Sequence, residues 1–327
     1  MRLLYFLLII GLFTGCQSKK KQAEIIEMSK PGWLKSRPVS ENYFYGIGIT
    51  PKVGGSQYYT NRAKDKALAD LAQQINTRVK SETSFIKTEN NQGVYEYIQS
   101  RINATSNEFL EGYEFVDSWE DESNMYAFYQ LSKSEFYTLK EERKNKAIEL
   151  AWLKIGQANE QENSYNYVEA IELFGSAIDA LSGFLNEETS KICNGEKIDL
   201  YETSKNGILE IVKLLSIKCS EVELIGQKGS AINSDAYLSA NLLDKIVTGL
   251  PIKFTYSGGY IINETMESDS NGKVPIPTLK YNKKDTEVLT VEVDFVNLAR
   301  KVSKNLLVRQ LIENQKKQSC LIDIRFK

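Results

Sequence analysis

The chain has 327 residues, and its 41 Lys and Arg nearly balance its 43 Asp and Glu, which leaves a formal net charge of −2. This balance provides no bulk attraction to nucleic acid, so we expect no nucleic-acid partner. His is absent. Because His is the commonest general base and transition-metal ligand, the usual serine, cysteine and metallo-hydrolase mechanisms are disfavoured. The length predicts two or three domains.

A signal peptide is predicted over residues 1–15. Arg2 precedes an apolar run from Leu3 to Phe13, which is shorter than the roughly 20 residues that a membrane-spanning helix requires. The motif at residues 13–16 resembles the lipobox of bacterial lipoproteins, although Leu is usual at the position of Phe13. The resemblance implies cleavage before Cys16 and acylation of its thiol and its new amine. Several acyl chains on one residue would anchor the protein to a membrane permanently for practical purposes.

Residues 16–30 are predicted to form a lipidated tether. Residues 17–24 are polar and lack apolar periodicity, as in flexible linkers. In known lipoprotein sorting patterns, an Asp directly after the lipidated Cys retains the protein in an inner membrane. This chain has Gln17 at that position, so the comparison with these patterns implies an outer membrane. The basic residues Lys19 to Lys21 differ from the acidic residues of surface-exported lipoproteins, which favours the periplasmic face.

A small α+β domain is predicted over residues 31–132. Tyr43 to Ile49 alternates aromatic and aliphatic side chains with Gly, which indicates a strand. Thr60 is predicted to cap a helix, a polar strand-like stretch follows from Lys80 to Lys87, and a second helix runs from about Tyr95 to Phe109. A hairpin is predicted from two further strands, Tyr113 to Trp119 and Met125 to Leu131. The first helix has one apolar stripe, which comprises Ala63, Ala67, Leu68, Leu71, Ala72, Ile75 and Val79.

This domain resembles the LPP-twenty (LPP20) family of lipoproteins. The resemblance rests on Trp33-Leu34, the strand at residues 45–48, the Ala-rich helix at residues 67–75 and the closing strand at residues 127–131. The family is similar to the N-terminal domain of the flagellar protein FlgT, which implies a small module with a helix pair on a sheet. These motifs are packing positions, so the resemblance implies a fold and a location but no reaction.

Trp33, Tyr43 and Tyr45 are the candidate binding residues of this domain. They could form an aromatic contact surface for a protein partner or a sugar. The alternative is that the same side chains seal the core of the domain.

An α-helical region is predicted over residues 133–217. Ser132 and Glu135 match a capping box at its start. The spacing of Tyr167, Ala170, Phe174 and Ala177 resembles the second helix of a tetratricopeptide repeat, but one copy is evident and a solenoid generally needs about three. We therefore expect a helical hairpin that bridges two domains, with a third helix within residues 197–217.

A β-sandwich domain is predicted over residues 218–327, where short strands alternate with turns. Their pattern resembles an immunoglobulin-like fold similar to the invasin-type domains of bacterial surfaces. Ser303 to Asn314 is predicted to be a short amphipathic insertion before the last strand. Cys219 and Cys320 lie at the edges of this domain and could form a disulfide in an oxidising compartment. The alternative is that these two and Cys193 are buried free thiols.

The sequence thus predicts an α+β multidomain lipoprotein with no catalytic residue, no metal site and no cofactor. The leading hypothesis is an outer-membrane-anchored, non-catalytic binding or scaffold component of a cell-envelope assembly, whose partners are the membrane and a protein. The alternative is a peptidoglycan-binding protein or activator of cell-wall synthesis. An envelope hydrolase is less favoured, since Asp, Glu, Ser and Lys chemistries remain open without His.

Overall fold

A computed structural model describes residues 24–82, 92–108, 110–219, 224–280, 285–316 and 319–326. The chain divides into two compact units. The first comprises Met1–Glu82 and Ala104–Glu141, and the second comprises Thr83–Asn103 and Glu142–Lys327. Both helices and sheets occur, so the predicted α+β multidomain class is confirmed at this level. The predicted domain boundaries stay a prediction.

The first unit is a three-stranded antiparallel sheet with a long helix on one face. Its sheet has the strand order β1-β3-β2. The elements from the N-terminus to this sheet are α1 (24–29), α2 (Gly32–Lys35), β1 (Tyr43–Pro51), α3 (Ser56–Glu82), α4 (Gln92–Glu108), β2 (Glu114–Glu120) and β3 (Asn124–Ser132).

Small side chains bring α3 close to the sheet. The predicted apolar stripe is confirmed at Ala63, Ala67, Leu71 and Ile75, each at most 1% exposed. The facing residues of β1 alternate as a half-buried strand requires, and they are Phe44, Gly46, Gly48 and Thr50. The glycines of β1 are required because a Cβ on either one would overlap a backbone carbonyl of α3.

Helix α3 begins one turn earlier than predicted. Thr60 lies inside the helix and does not cap it, because Gly54 ends the preceding loop at φ +91° and the carbonyl of Gly55 accepts the N–H groups of Tyr58 and Tyr59. The predicted strand at Lys80–Lys87 is wrong at residues 80–82, where α3 continues. The rest of that stretch lies outside the described residues.

Helices predominate in the first part of the second unit. Most of α4 belongs to this unit, where Arg101 donates a hydrogen bond to Ser182 (3.0 Å). Of the two helices that the family resemblance implied, α3 packs on the sheet of the first unit.

The next elements along the chain are α5 (Lys133–Asn163), α6 (Tyr167–Leu181), β4 (Ser190–Cys193), β5 (Glu196–Asp199) and α7 (Leu200–Leu214).

The predicted third helix is shorter than its apolar pattern indicated. The hairpin β4-β5 precedes it, and Asp199 caps α7 by accepting the N–H of Glu202 at 3.0 Å. At the other end, Leu215–Lys218 leaves the helix and forms strand β6. Apolar residues continue through this boundary, so their spacing alone did not reveal it.

The C-terminal part of the second unit contains two main sheets. One has the order β12-β10-β15-β16-β7, and the other has the order β13-β8-β6, with β9 paired to β8. Strand β6 contacts β15 and β16, so the two sheets pack against each other. The strands are β6 (Leu215–Lys218), β7 (Leu224–Gly226), β8 (Tyr237–Leu242), β9 (Lys245–Ile246), β10 (Pro251–Tyr256), β11 (Tyr260–Ile261), β12 (Thr265–Glu267), β13 (Lys273–Pro275), β14 (Leu279–Lys280), β15 (Thr286–Val293) and β16 (Ser319–Phe326).

Two short helices, α8 (Phe295–Val302) and α9 (Leu306–Glu313), connect β15 to β16. Helix α9 lies within the amphipathic insertion predicted at Ser303–Asn314, and α8 precedes it as a separate helix, because Asp294 and Asn305 each accept an N–H at the start of their own helix. Helix α8 packs on α6, and α9 packs on α7. The immunoglobulin-like topology and the tetratricopeptide-like unit stay predictions.

Candidate interaction surface

Trp33, Tyr43 and Tyr45 lie together on the first unit. All three are half-buried, and they lie on the face of the sheet opposite α3. The structure thus places these three side chains outside the core that lies between α3 and the sheet. The predicted lipidation site Cys16 and its tether up to residue 23 lie outside the described residues.

The aromatic rings contact one another in a continuous row. Trp33 stacks on Phe128 with a centroid distance of 5.0 Å and an interplanar angle of 16°. Tyr45 packs against the same Phe128 ring at 5.3 Å, and Tyr43 stacks beside Tyr45 at 6.3 Å. Such offset contacts stabilise an aromatic pair by about 0.5–1.5 kcal/mol beyond the area that it buries.

The strand register extends this row along the sheet. Ile47 lies opposite Phe128, Ile49 lies opposite Tyr126, and Trp119 lies on the other side of Tyr126. The Trp119 and Tyr126 rings are 5.3 Å apart. We call this surface the outer aromatic face, and its members are Trp33, Tyr43, Tyr45, Ile47, Ile49, Trp119, Tyr126 and Phe128.

Three aromatic members of this face were not among the predicted binding residues, namely Trp119, Tyr126 and Phe128. Each lies on a correctly predicted strand. Because side chains alternate between the two faces of a strand, the period of two from Tyr126 to Phe128 is the signal that pairs them with β1.

Hydrogen bonds fix Trp33 on this face. Its indole Nε1 donates to Asp117 Oδ2 at 2.8 Å, so the polar atom of a large apolar ring is satisfied. Opposite Tyr45, the Gln130 side-chain amide donates to Glu114 at 2.9 Å. The rings are therefore held in place and bordered by polar groups.

Side chains of α3 occupy the free edge of β1. Lys66 donates to the carbonyl of Ile49 (2.7 Å), Asp70 accepts the N–H of Ile47 (2.9 Å), and Gln74 donates to the carbonyl of Tyr45. These three residues are spaced four apart and so share one helix face. Arg37 completes the array with bonds to Asp70 at 2.5 Å and to the carbonyl of Tyr45 at 2.9 Å.

A cleft of about 280 Å³ adjoins the outer aromatic face beside Tyr43 and Tyr45. Lys133 borders it, donates to the carbonyl of Ser40 at 2.6 Å and lies 5.2 Å from the centroid of the Phe44 ring. The cleft is mixed in polarity, and its other lining residues are Arg37, Pro38, Val39 and Gln74.

Asp121 organises the turn between β2 and β3. Its carboxylate accepts the N–H groups of Ser123 (2.8 Å) and Asn124 (2.7 Å) and the hydroxyl of Tyr126 (3.0 Å). Partial burial on its own would raise the pKa of Asp121, but these hydrogen bonds outweigh it and hold the pKa below 3.8. The ionised carboxylate thus fixes the turn next to the outer aromatic face.

In the second unit, Cys219 and Cys320 form a disulfide, and Cys193 is a free thiol. The Cα atoms of Cys219 and Cys320 are 6.2 Å apart, within the usual range for a disulfide. Cys219 follows β6 and Cys320 lies on β16, so the bond links the two main sheets.

The comparison with known families agrees with the sequence resemblance, since residues 31–132 match the LPP20 lipoprotein family. The predicted resemblance is confirmed over this segment, and it supports a lipid-anchored lipoprotein of the cell envelope. No curated protein matches the chain. Within the described ranges, every helix is too short or too polar to cross a bilayer.

Proposed function

We propose that this lipoprotein is a non-catalytic binding or scaffold component of a cell-envelope assembly, and that its outer aromatic face contacts a protein partner. The observation that carries the proposal is the row of Trp, Tyr and Ile side chains along a sheet face that α3 does not cover. Trp and Tyr are enriched among the residues that dominate binding energy, since they bury a large rigid area and retain one polar atom.

The arrangement of this face suits recognition. Ile49 is 46% exposed, while Phe128 is 5% exposed beneath Trp33. An interface with a partner would therefore gain apolar burial from side chains that are already ordered, so little conformational entropy is lost on binding.

The proposed location is the periplasmic face of an outer membrane. The supports are the lipobox resemblance at Cys16, the absence of Asp at residue 17 and the basic tether. A tether of about 15 residues would keep the aromatic face within a few nanometres of the bilayer surface.

Site-specific photo-crosslinking tests the proposal. A photoreactive phenylalanine analogue replaces Tyr43 or Ile49 on the outer aromatic face, and replaces Tyr58 on α3 as the matched control, since Tyr58 is 56% exposed. We expect a discrete cross-linked envelope protein from Tyr43 and Ile49 and none from Tyr58. Recovery of the lipoprotein alone from every position would contradict the proposal.

A second candidate is peptidoglycan binding, with or without activation of cell-wall synthesis. The observation that favours it is the cleft beside Tyr43 and Tyr45, where an aromatic ring and polar groups such as Arg37 adjoin. Sugar rings stack on such aromatic faces. Purified sacculi should then retain the protein and lose it after Tyr43→Ala, whereas a protein partner predicts no retention.

A further inference from the structure

The two edges of the first-unit sheet differ. At β1, three side chains of α3 bond to the outward backbone groups of Tyr45, Ile47 and Ile49. At β2, the opposite edge, no strand of the described chain pairs on the outer side. One edge is therefore closed to an added strand, and the other is open.

The register identifies the outward groups of β2. The backbone N–H and C=O groups of Tyr45, Ile47 and Ile49 point away from β3. The backbone groups of the residues between them, Gly46 and Gly48, therefore bond to Tyr129 and Ala127 on β3. In an antiparallel sheet, the alternate residue Phe128 then bonds to Asp117 on β2, which leaves Ser118 directed outward. The Ser118 N–H bonds to the side chain of its own neighbour, Asp117, at 2.8 Å, and an added strand would have to replace this local contact, whereas the β1 edge is covered by side chains of another element.

The side chains along this edge are apolar and acidic. Phe115 is 58% exposed, and Val116 is 41% exposed. The strand also carries Glu114, Asp117 and Glu120 and has no Lys or Arg. Lys52 pairs with Glu120 at 3.4 Å, but Asp121 and Glu122 follow directly in the turn, so the edge remains acidic.

We propose that the open edge of β2 is a docking site for an extended segment of a protein partner, which adds a fourth strand and carries Lys or Arg between apolar residues. Strand addition supplies main-chain hydrogen bonds, and side chains opposite the acidic and apolar positions supply specificity. This edge adjoins the outer aromatic face, because β2 also carries Trp119, but the proposal concerns the outward backbone groups of β2 and does not depend on the proposed function of that face.

Charge disfavours a second copy of the chain as the occupant. Pairing β2 with another β2 would place two acidic strands side by side, and like charges in cross-strand positions destabilise a sheet. The bulge between Phe115 and Asp117 also hinders pairing of two identical edges.

Selection from a displayed library of random ten-residue peptides on the full chain tests this proposal. The main variant is Ser118→Pro, which removes an outward N–H and leaves the bonds to β3 in place, as proline does on edge strands. Its matched control is Ser118→Ala, which retains the N–H. We expect enriched peptides in which Lys or Arg alternates with apolar residues, and a dissociation constant at least tenfold higher for Ser118→Pro than for Ser118→Ala.

A second variant keeps the test decisive if Ser118→Pro alters the fold. Glu114→Lys combined with Glu122→Lys reverses two exposed charges, and it should shift the enriched peptides away from basic sequences. The proposal is overturned if no peptide is enriched, if enriched peptides carry no basic residues, or if a folded Ser118→Pro variant binds as tightly as Ser118→Ala. Dimerisation of the chain that Ser118→Pro abolishes would also overturn it, since a second copy would then be the occupant.

Discussion

Gly48 on β1 lies so close to Ala63 on α3 that a Cβ on Gly48 would overlap the Ala63 carbonyl oxygen. That oxygen belongs to the helix backbone and cannot rotate away. The contact sets the distance between α3 and the sheet.

Gly48→Ala should lower the free energy of unfolding of the first unit by roughly 1–3 kcal/mol or more, as overpacking does. Trp33 and Trp119 report on this unit, so urea unfolding is followed by fluorescence in a Trp152→Phe background. Gly55→Ala is the control, because a Cβ there meets nothing within 4 Å. Equal midpoints for the two variants would show that the close approach is not required.

Asp70→Ala should open the free edge of β1. It removes the acceptor of the Ile47 N–H and the partner of Arg37, at a cost of about 1–2 kcal/mol for charge-assisted hydrogen bonds on a partly exposed group. Hydrogen exchange at the Ile47 amide should accelerate. Asp65→Ala, an exposed position on the same helix, should leave that exchange rate unchanged.

The Asp121 turn makes the first unit sensitive to acid. Its folded pKa is lowered, so its stabilisation is fully present above the ordinary value of 3.8 and is lost as the pH falls through the lower folded value. Asp121→Asn should reduce stability by about 1 kcal/mol at pH 7, and the gap to the native chain should shrink below about pH 4. Urea midpoints at pH 7 and pH 3 measure this gap. Glu122→Gln should show no comparable change, and a pH-independent gap would contradict the role of the ionised carboxylate.

The bond between Cys219 and Cys320 closes a loop with a sequence separation of 101. Replacing both with Ser should destabilise the second unit by about 2–4 kcal/mol, which calorimetry of the full chain would detect. Cys193→Ser is the matched control. Alkylation without reductant should label Cys193, while labelling of Cys219 or Cys320 would refute the bond in the native protein.

Local periodicity predicted much of this structure. The stripe of α3 and the β2-β3 hairpin follow from helical spacing and alternation, because each element buries one face. Strand β6 was predicted differently, since residues 215–217 were expected to belong to a helix. Leu215 to Lys218 continues an apolar helical pattern, and its conversion to a strand depends on pairing with Leu242 to Ser239, which lies too far along the chain for a local pattern to show.

The candidate site was predicted in part for the same reason. Trp33, Tyr43 and Tyr45 stand out as aromatic residues near one strand, but their common face with Phe128 depends on the β1-β3 register. Lys66, Asp70 and Gln74 are spaced four apart, a visible signal, yet their role required knowing that β1 is an edge strand.

The account depends most on the membrane anchor, and mass spectrometry of the N-terminal peptide of the mature protein from its native envelope tests it most directly. We predict a peptide that begins at Cys16 and carries a diacylglyceryl group on the thiol and an acyl chain on the amine. A mature N-terminus elsewhere, or an unmodified thiol at residue 16, would contradict the assignment of this chain as an anchored envelope lipoprotein.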